Sequence, residues 1–288
     1  MVTIENILIN QNKKRSMPEK EDYFDKDGFL VCGKCNTRKQ KDINPPIIIG
    51  QRVIRRVPII CKCEHEKIKA EEEYQNNLDF KKKMERLQRD GITDTKYLKF
   101  KFENDDGNNK AISEVCMRYV ENWKKMKEEN MGILFYGGIG TGKTFLACCI
   151  ANALLQKLVT VSVTNFPRIL NALQSYEYEK ENERQRIIDK LQYYSLVVID
   201  DLGVERNTPY SIEQIFNIID TRGRAKKPLI ITTNLSMNEL KNPNSLEYKR
   251  IYDRVLEMCP IRLKLTGESR RIEIAENKKD KAKRLLGL

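Results

Sequence analysis

The sequence is poor in tryptophan and histidine, with one of each in 288 residues, and it has few glycines (14) and prolines (9). A collagen-like repeat is excluded by that count. No stretch approaches the roughly 20 uncharged apolar residues that a membrane-spanning helix needs, so a helical membrane protein is excluded as well. The first ten residues are too broken by polar side chains for a secretory h-region. Internal repeats and low-complexity tracts are also missing. What is present is a 40% hydrophobic fraction, enough for a core, beside an unusually large 33% of charged residues. Eight cysteines without an export signal point to a reducing compartment, where they serve as thiols or metal ligands rather than disulfides. The expectation is a cytoplasmic protein that does not engage membranes.

Lys and Arg (53) exceed Asp and Glu (41), giving a net charge of +12 that is spread along the chain. Such a balance suits a phosphate-rich partner without specifying one. Composition divides the chain into a cysteine-rich region (1–66), a charged helical connector (67–94) and a larger domain (95–288). Within 64–90 turn formers are nearly missing, Tyr74/Leu78 and Phe80/Met84/Leu87 recur at helical spacing, and Gly91 stands where a C-cap belongs. From residue 95, short apolar runs at 132–136, 160–163, 196–199 and 229–232 predict strands. Segments 144–158, 167–174, 179–192, 211–222 and 247–257 predict helices, and 261–265 with 271–275 predict a closing β-pair. This alternation implies an α/β fold with a central, mostly parallel sheet covered on both faces.

The strongest motif is Gly137-Gly138-Ile139-Gly140-Thr141-Gly142-Lys143-Thr144, which fits GxxxxGK[ST] between a strand and a helix. Glycines allow backbone N–H groups to point at phosphates, and the following helix turns its positive end toward them. Lys143 would reach the phosphates of ATP and the Thr144 hydroxyl would ligate Mg²⁺. The apolar run ending in Asp200-Asp201 would bring carboxylates to the same edge. Asp200 would hold Mg²⁺ through water and Asp201 would orient the attacking water. Asn234 tips another apolar strand. Arg250 and Arg254 share one helical face, and Arg270-Arg271 follow Gly267.

The phosphate loop, the run 199–206, Thr232-Thr233-Asn234-Leu235 and Arg250-Ile251-Tyr252-Asp253-Arg254 together resemble the DnaC/DnaI family of AAA+ replicative-helicase loaders. Phe102-Glu103-Asn104-Asp105 ahead of Trp123 matches the family's lead-in segment, and the similarity covers 95–276. It implies an AAA+ P-loop ATPase that self-associates, binds the replicative helicase and helps place it on single-stranded DNA. It also implies Asn234 as sensor 1, Arg254 as a finger acting in trans, and Arg271, rather than Arg270, as sensor 2. Many AAA+ proteins carry Asp-Glu where this one has Asp200-Asp201; the shorter second acid implies slow hydrolysis. The alternative is an IstB-type ATPase that assists a transposase.

Cys32-x-x-Cys35 and Cys61-x-Cys63 suit a Cys₄ zinc site in a small ribbon-like fold. The tight second pair requires a bend, because i,i+2 side chains on a regular strand face opposite ways. His65 leaves a Cys₃His set open. Similar clusters precede the ATPase in DnaI-type loaders, where the N-terminal region engages the helicase. Cys116, Cys148, Cys149 and Cys259 read as buried small hydrophobes. Two basic or aromatic stretches, 165–194 and the cluster Arg222, Arg224, Lys226, Lys227, are compatible with DNA contact or with ordinary surface and packing.

Overall fold

The computed structural model describes residues 21–49, 52–92, 94–175, 181–204 and 208–287. Contacts divide the chain into two compact units, Met1–Lys81 and Lys82–Leu288. Among the described residues no helix is long and apolar enough to cross a membrane.

The first unit is built from two small antiparallel pairs. Strands β1 (Tyr23–Phe24) and β2 (Leu30–Val31) pair with Tyr23 opposite Val31. Strands β3 (Gln40–Ile49) and β4 (Arg52–Pro58) form a hairpin whose register shifts between Asp42 and Ile47. Pro45 and Pro46, which have no N–H to donate, lie at that irregularity. Phe29, Leu30, Val31, Cys32 and Cys61 are the buried apolar residues described here, a core too small to carry much stability by itself. Two guanidiniums sandwich Phe29, those of Arg38 and Arg56 at 4.1 and 3.8 Å from the ring. Helix α1 (Lys62–Gly91) follows, with Gly91 its single buried residue.

The second unit holds the five-stranded sheet. Its strands are β5 (Ile133–Gly137), β6 (Val161–Asn165), β7 (Leu196–Leu202), β8 (Leu229–Thr233) and β9 (Ile261–Leu265), in the order β6-β7-β8-β5-β9, all parallel. Period-two alternation of fully apolar strands supplies both faces. Ile133, Phe135, Leu196 and Val198 pack on one side against α2 (Lys110–Glu121) and α4 (Lys143–Gln156). Leu134, Val197, Ile199 and Ile231 pack on the other against α5 (Phe166–Ser175), α6 (Glu181–Tyr193), α7 (Pro209–Arg224) and α9 (Leu246–Met258). The short helices α3 (Trp123–Glu128) and α8 (Met237–Lys241) complete the layers. Cys116, Cys148 and Cys259 are within these cores and Cys149 is buried, as expected of small hydrophobes.

All five expected strands of the sheet are present, but three features differ from the sequence reading. Residues 271–275 form no strand: helix α10 (Arg270–Leu286) begins there, with Ser269 at its N-cap position. Alternating Ile272 and Ile274 imitate a strand period, whereas the Lys/Glu-rich continuation favours helix. Strand β9 accordingly finds its partner in β5, in parallel. Strand β7 runs on through both acids to Leu202, with a register shift after Ile199 and a left-handed backbone at Asp201 (φ +57°). Helices α2 and α3 have no counterpart in the sequence reading.

Candidate nucleotide-binding site

The loop between β5 and α4 is closed by glycines in backbone conformations that other residues rarely adopt. At Gly137 (φ +134°) an added Cβ would lie 2.1 Å from the Leu265 carbonyl oxygen. At Gly142 (φ +101°) it would meet the Arg270 guanidinium at 2.6 Å. Gly142 is also the N-cap of α4 and offers no side-chain cap. The first-turn N–H groups of this helix are thus left to an anion, the arrangement that binds phosphate elsewhere.

Three sequence-predicted residues converge on this loop. Lys143, buried at 5% exposure, donates its ammonium to the carbonyls of Gly137 (3.0 Å) and Gly138 (2.6 Å) and to Asn234 Oδ1 (2.8 Å). Burial lowers its pKa, and a polyanion arriving beside it would favour the charged ammonium again. Thr144 donates its hydroxyl to Asp200 Oδ1 at 2.7 Å, and Thr232 donates to the same oxygen at 2.6 Å. Asp201 is fixed by its N–H, which donates to Thr232 Oγ1 at 2.9 Å. Burial, then the charge of Asp200, pushes the Asp201 carboxyl above the usual carboxylate range. A hydroxyl and a carboxylate in contact beside a phosphate-binding loop form the hard-oxygen donor set that suits Mg²⁺.

Lys143, Thr144, Asp200, Asp201 and Asn234 line one cavity of about 630 Å³, together with Ile139, Gly140, Arg270 and Arg271. Arg270 was the less favoured of the two arginines on sequence; here its N–H donates to the Gly140 carbonyl and its side chain pairs with Asp106 at 2.7 Å. Tyr97 and Phe145 also line the cavity and were missed. Tyr97 donates to Asp200 across 103 residues of sequence, a relationship with no local signal. Burial, then the Asp200 charge, raises the pKa of its phenol.

Arg254 is not among the residues lining this cavity. It pairs with Asp220 and Glu257, both at 2.8 Å, and Arg250 stacks on Phe216 at 4.7 Å. The basic cluster separates cleanly. Arg222 is buried and donates to four backbone carbonyls, Arg224 pairs with Asp220, and Lys227 donates to the carbonyls of Gln192 and Tyr193. Arg222 is therefore unavailable to DNA. Tyr194 is buried and donates to the Asp90 carbonyl, while Tyr193 is exposed. The stretch 176–180 and residues 205–207 lie outside the described residues.

In the first unit the thiols of Cys32, Cys35, Cys61 and Cys63 all lie within 4.8 Å of one another. The separations Cys32–Cys63 (3.6 Å) and Cys61–Cys63 (3.5 Å) approach the roughly 3.8 Å edge of a tetrahedral zinc–thiolate site. The required bend is the junction at which β4 gives way to α1, which begins between the two cysteines. A hydrogen bond from the Thr37 hydroxyl pulls the Cys35 thiol down to about 5, whereas contact with Cys61 and the other thiols pushes Cys63 up to about 12. Four thiolates cannot ionise together without a cation, and a divalent metal removes that conflict. His65 is exposed on α1 and outside this group.

A family model described as IstB-like ATP binding protein matches residues 67–278. The chain is 30% identical over 151 residues to the replicative helicase loader DnaC of Escherichia coli (strain K12), covering 52% of this chain and 58% of that protein. It is 26% identical over 151 residues to the replicative helicase loader DnaI of Bacillus subtilis (strain 168), covering 49% and 47%. The chain thus spans about half the length of these curated relatives. A solved structure, the crystal structure of the DnaC helicase loader, superimposes with a TM-score of 0.50 at 22% identity, over 60% of this chain and 100% of that one. The likeness is one of fold: the larger unit is an AAA+ P-loop domain, as its motifs implied.

Proposed function

Because this chain belongs to the family of IstB-like ATP-binding proteins, we propose that it is an ATP-dependent loader of a replicative helicase onto single-stranded DNA. One observation carries the reading. The converging phosphate loop, Asp200 and Asn234 lie within residues 67–278, which the IstB-like ATP-binding model matches, in a chain related to a protein named as a replicative helicase loader. That name favours the loader over a transposase-assisting ATPase.

In this reading Lys143 moves from the Gly137 and Gly138 carbonyls to the β- and γ-phosphates of ATP. Thr144 and, through water, Asp200 would hold Mg²⁺, which supplies charge neutralisation between the phosphates. Asp201 orients the attacking water. Asn234, already bonded to Lys143, reports the γ-phosphate to β8. Arg271 and Arg270 face the same cavity in cis, while Arg254 acts on the nucleotide of a neighbouring copy. Hydrolysis is slow and responds to partner or DNA, and self-association runs through the AAA+ domain. The four cysteines hold structural zinc in an N-terminal adaptor (1–66) that docks the helicase. A connector (67–94) joins it to the ATPase domain (95–288).

The test is a loading assay. Helicase co-purified from bacterial lysate is mixed with closed-circular single-stranded DNA, ATP and the protein. Bound helicase should rise with the wild-type chain and ATP, and not with Lys143→Ala. Equal occupancy with and without the protein contradicts the reading.

A further inference from the structure

The two oxygens of Asp200 are used differently. Oδ1 is taken twice, by Thr144 and by Thr232. Oδ2 accepts from the Tyr97 hydroxyl at 3.4 Å. That tyrosine comes neither from the sheet nor from the phosphate loop but from the 3₁₀ turn Thr95–Lys99, which precedes the ATPase core in sequence. The turn is held firmly. Asn152 on α4, 5% exposed, donates to the carbonyls of both Tyr97 and Phe100 at 2.7 Å. Asp94 caps the turn by accepting from the Lys96 N–H. The Tyr97 ring packs on Phe100 (5.9 Å between centroids), which packs on Phe145 (5.4 Å), the residue after Thr144.

We infer that Tyr97 is a positioning residue for Asp200: its hydroxyl helps set the rotation of the carboxylate that would reach Mg²⁺ through water beside Thr144. The inference rests on the nucleotide-site reading above. Rotation about χ2 carries both carboxylate oxygens together, and that torsion is intrinsically broad, so the bonds on Oδ1 and the bond on Oδ2 restrain one and the same rotation. The Tyr97 donor adds to that restraint from the second oxygen and, being neutral, leaves the negative charge for the cation. Outer partners of metal ligands commonly matter about 10–100-fold in metal affinity.

The experiment follows binding of a fluorescent ATP analogue while Mg²⁺ is titrated, with an excess-chelator arm, for wild type and Tyr97→Phe. The phenylalanine keeps the ring packing, and matched thermal melts establish that the fold is kept. Thr232→Val, which removes one of two donors on the other oxygen, serves as a second variant and should shift less. Tyr97→Phe should raise the half-saturating Mg²⁺ about tenfold, with affinity in chelator unchanged. A wild-type Mg²⁺ curve in Tyr97→Phe overturns the positioning role. No binding of the analogue by the wild type overturns the nucleotide-site reading instead, and wild-type binding with no Mg²⁺ response overturns the positioning role together with the Mg²⁺ site it serves.

Discussion

Arg254 Nη2 donates to Asp220 Oδ1 at 2.8 Å, joining α9 to α7 at a point that does not line the nucleotide cavity of the same chain. The guanidinium is bonded twice yet remains 38% exposed, with Glu257 on its other nitrogen. To act on a neighbouring copy's nucleotide, as proposed, it would have to exchange these partners for a phosphate. Arg254→Ala should therefore bind ATP nearly as wild type but lose hydrolysis. In other P-loop enzymes such an arginine is worth about 10³–10⁵ in rate, and the loss here should be at least about tenfold. Mixing Arg254→Ala with Lys143→Ala should restore part of the activity, since one lends an intact phosphate loop and the other an intact arginine. A mixture no more active than either variant, with mixed assembly confirmed, would assign Arg254 a role within its own chain.

Asp220 itself predicts a pH signature. Arg254, and then Arg224, hold its carboxyl below the usual value. A depressed folded pKa contributes stability that is present above the unfolded value of about 3.9 and is lost as pH falls through the folded value. Asp220→Asn should cost stability at neutral pH, and the difference from wild type should shrink to nothing in acid. Urea melts at several pH values measure it; a cost independent of pH would mean that charge pairing is not the cause.

Arg222 is 1% exposed and donates to the carbonyls of Leu191, Tyr194, Ser195 and Pro228, with no ion-pair partner among the described residues. Burial pulls its pKa down to about 9. Arg222→Met keeps the bulk and leaves those carbonyls unpaired, at about 1–3 kcal/mol for each group that water cannot reach. The expected loss is about 3 kcal/mol or more by denaturant melts. A loss below about 1 kcal/mol would show that water replaces the guanidinium freely.

The cysteine cluster predicts about one equivalent of zinc in protein purified without chelator. Stripping the metal should unfold the first unit, and release should increase as pH falls, because protons compete for the thiolates. The metal content of the purified chain and the loss of structure on chelation measure this directly. Metal-free protein with an intact first unit would sink the assignment.

The parts legible in the sequence are those with a local period or a fixed spacing. Apolar strands such as 196–199, the glycine spacing from Gly137 to Gly142, and the paired cysteines all reached the structure as read. What escaped depends on distant packing. Tyr97 meets Asp200 only because Asn152 fixes the 3₁₀ turn against α4. Arg222 reads as one more surface cation until the carbonyl ends of α6 and the start of β8 close around it. The segment 271–275 read as a strand because its alternation outweighed the helix-forming residues beyond it.

The account depends most on Lys143 and the loop that holds it. Titration of ATP with Mg²⁺ into wild type and Lys143→Ala, followed by calorimetry, tests this directly. Removing one charge-assisted phosphate contact should cost about 1.5–3 kcal/mol, or roughly 10- to 150-fold in Kd, with thermal melts of the apo proteins reporting separately the loss of the three hydrogen bonds that Lys143 makes. Equal ATP affinity in the two proteins, or no binding by the wild type, would contradict the assignment of this loop as the ATP site.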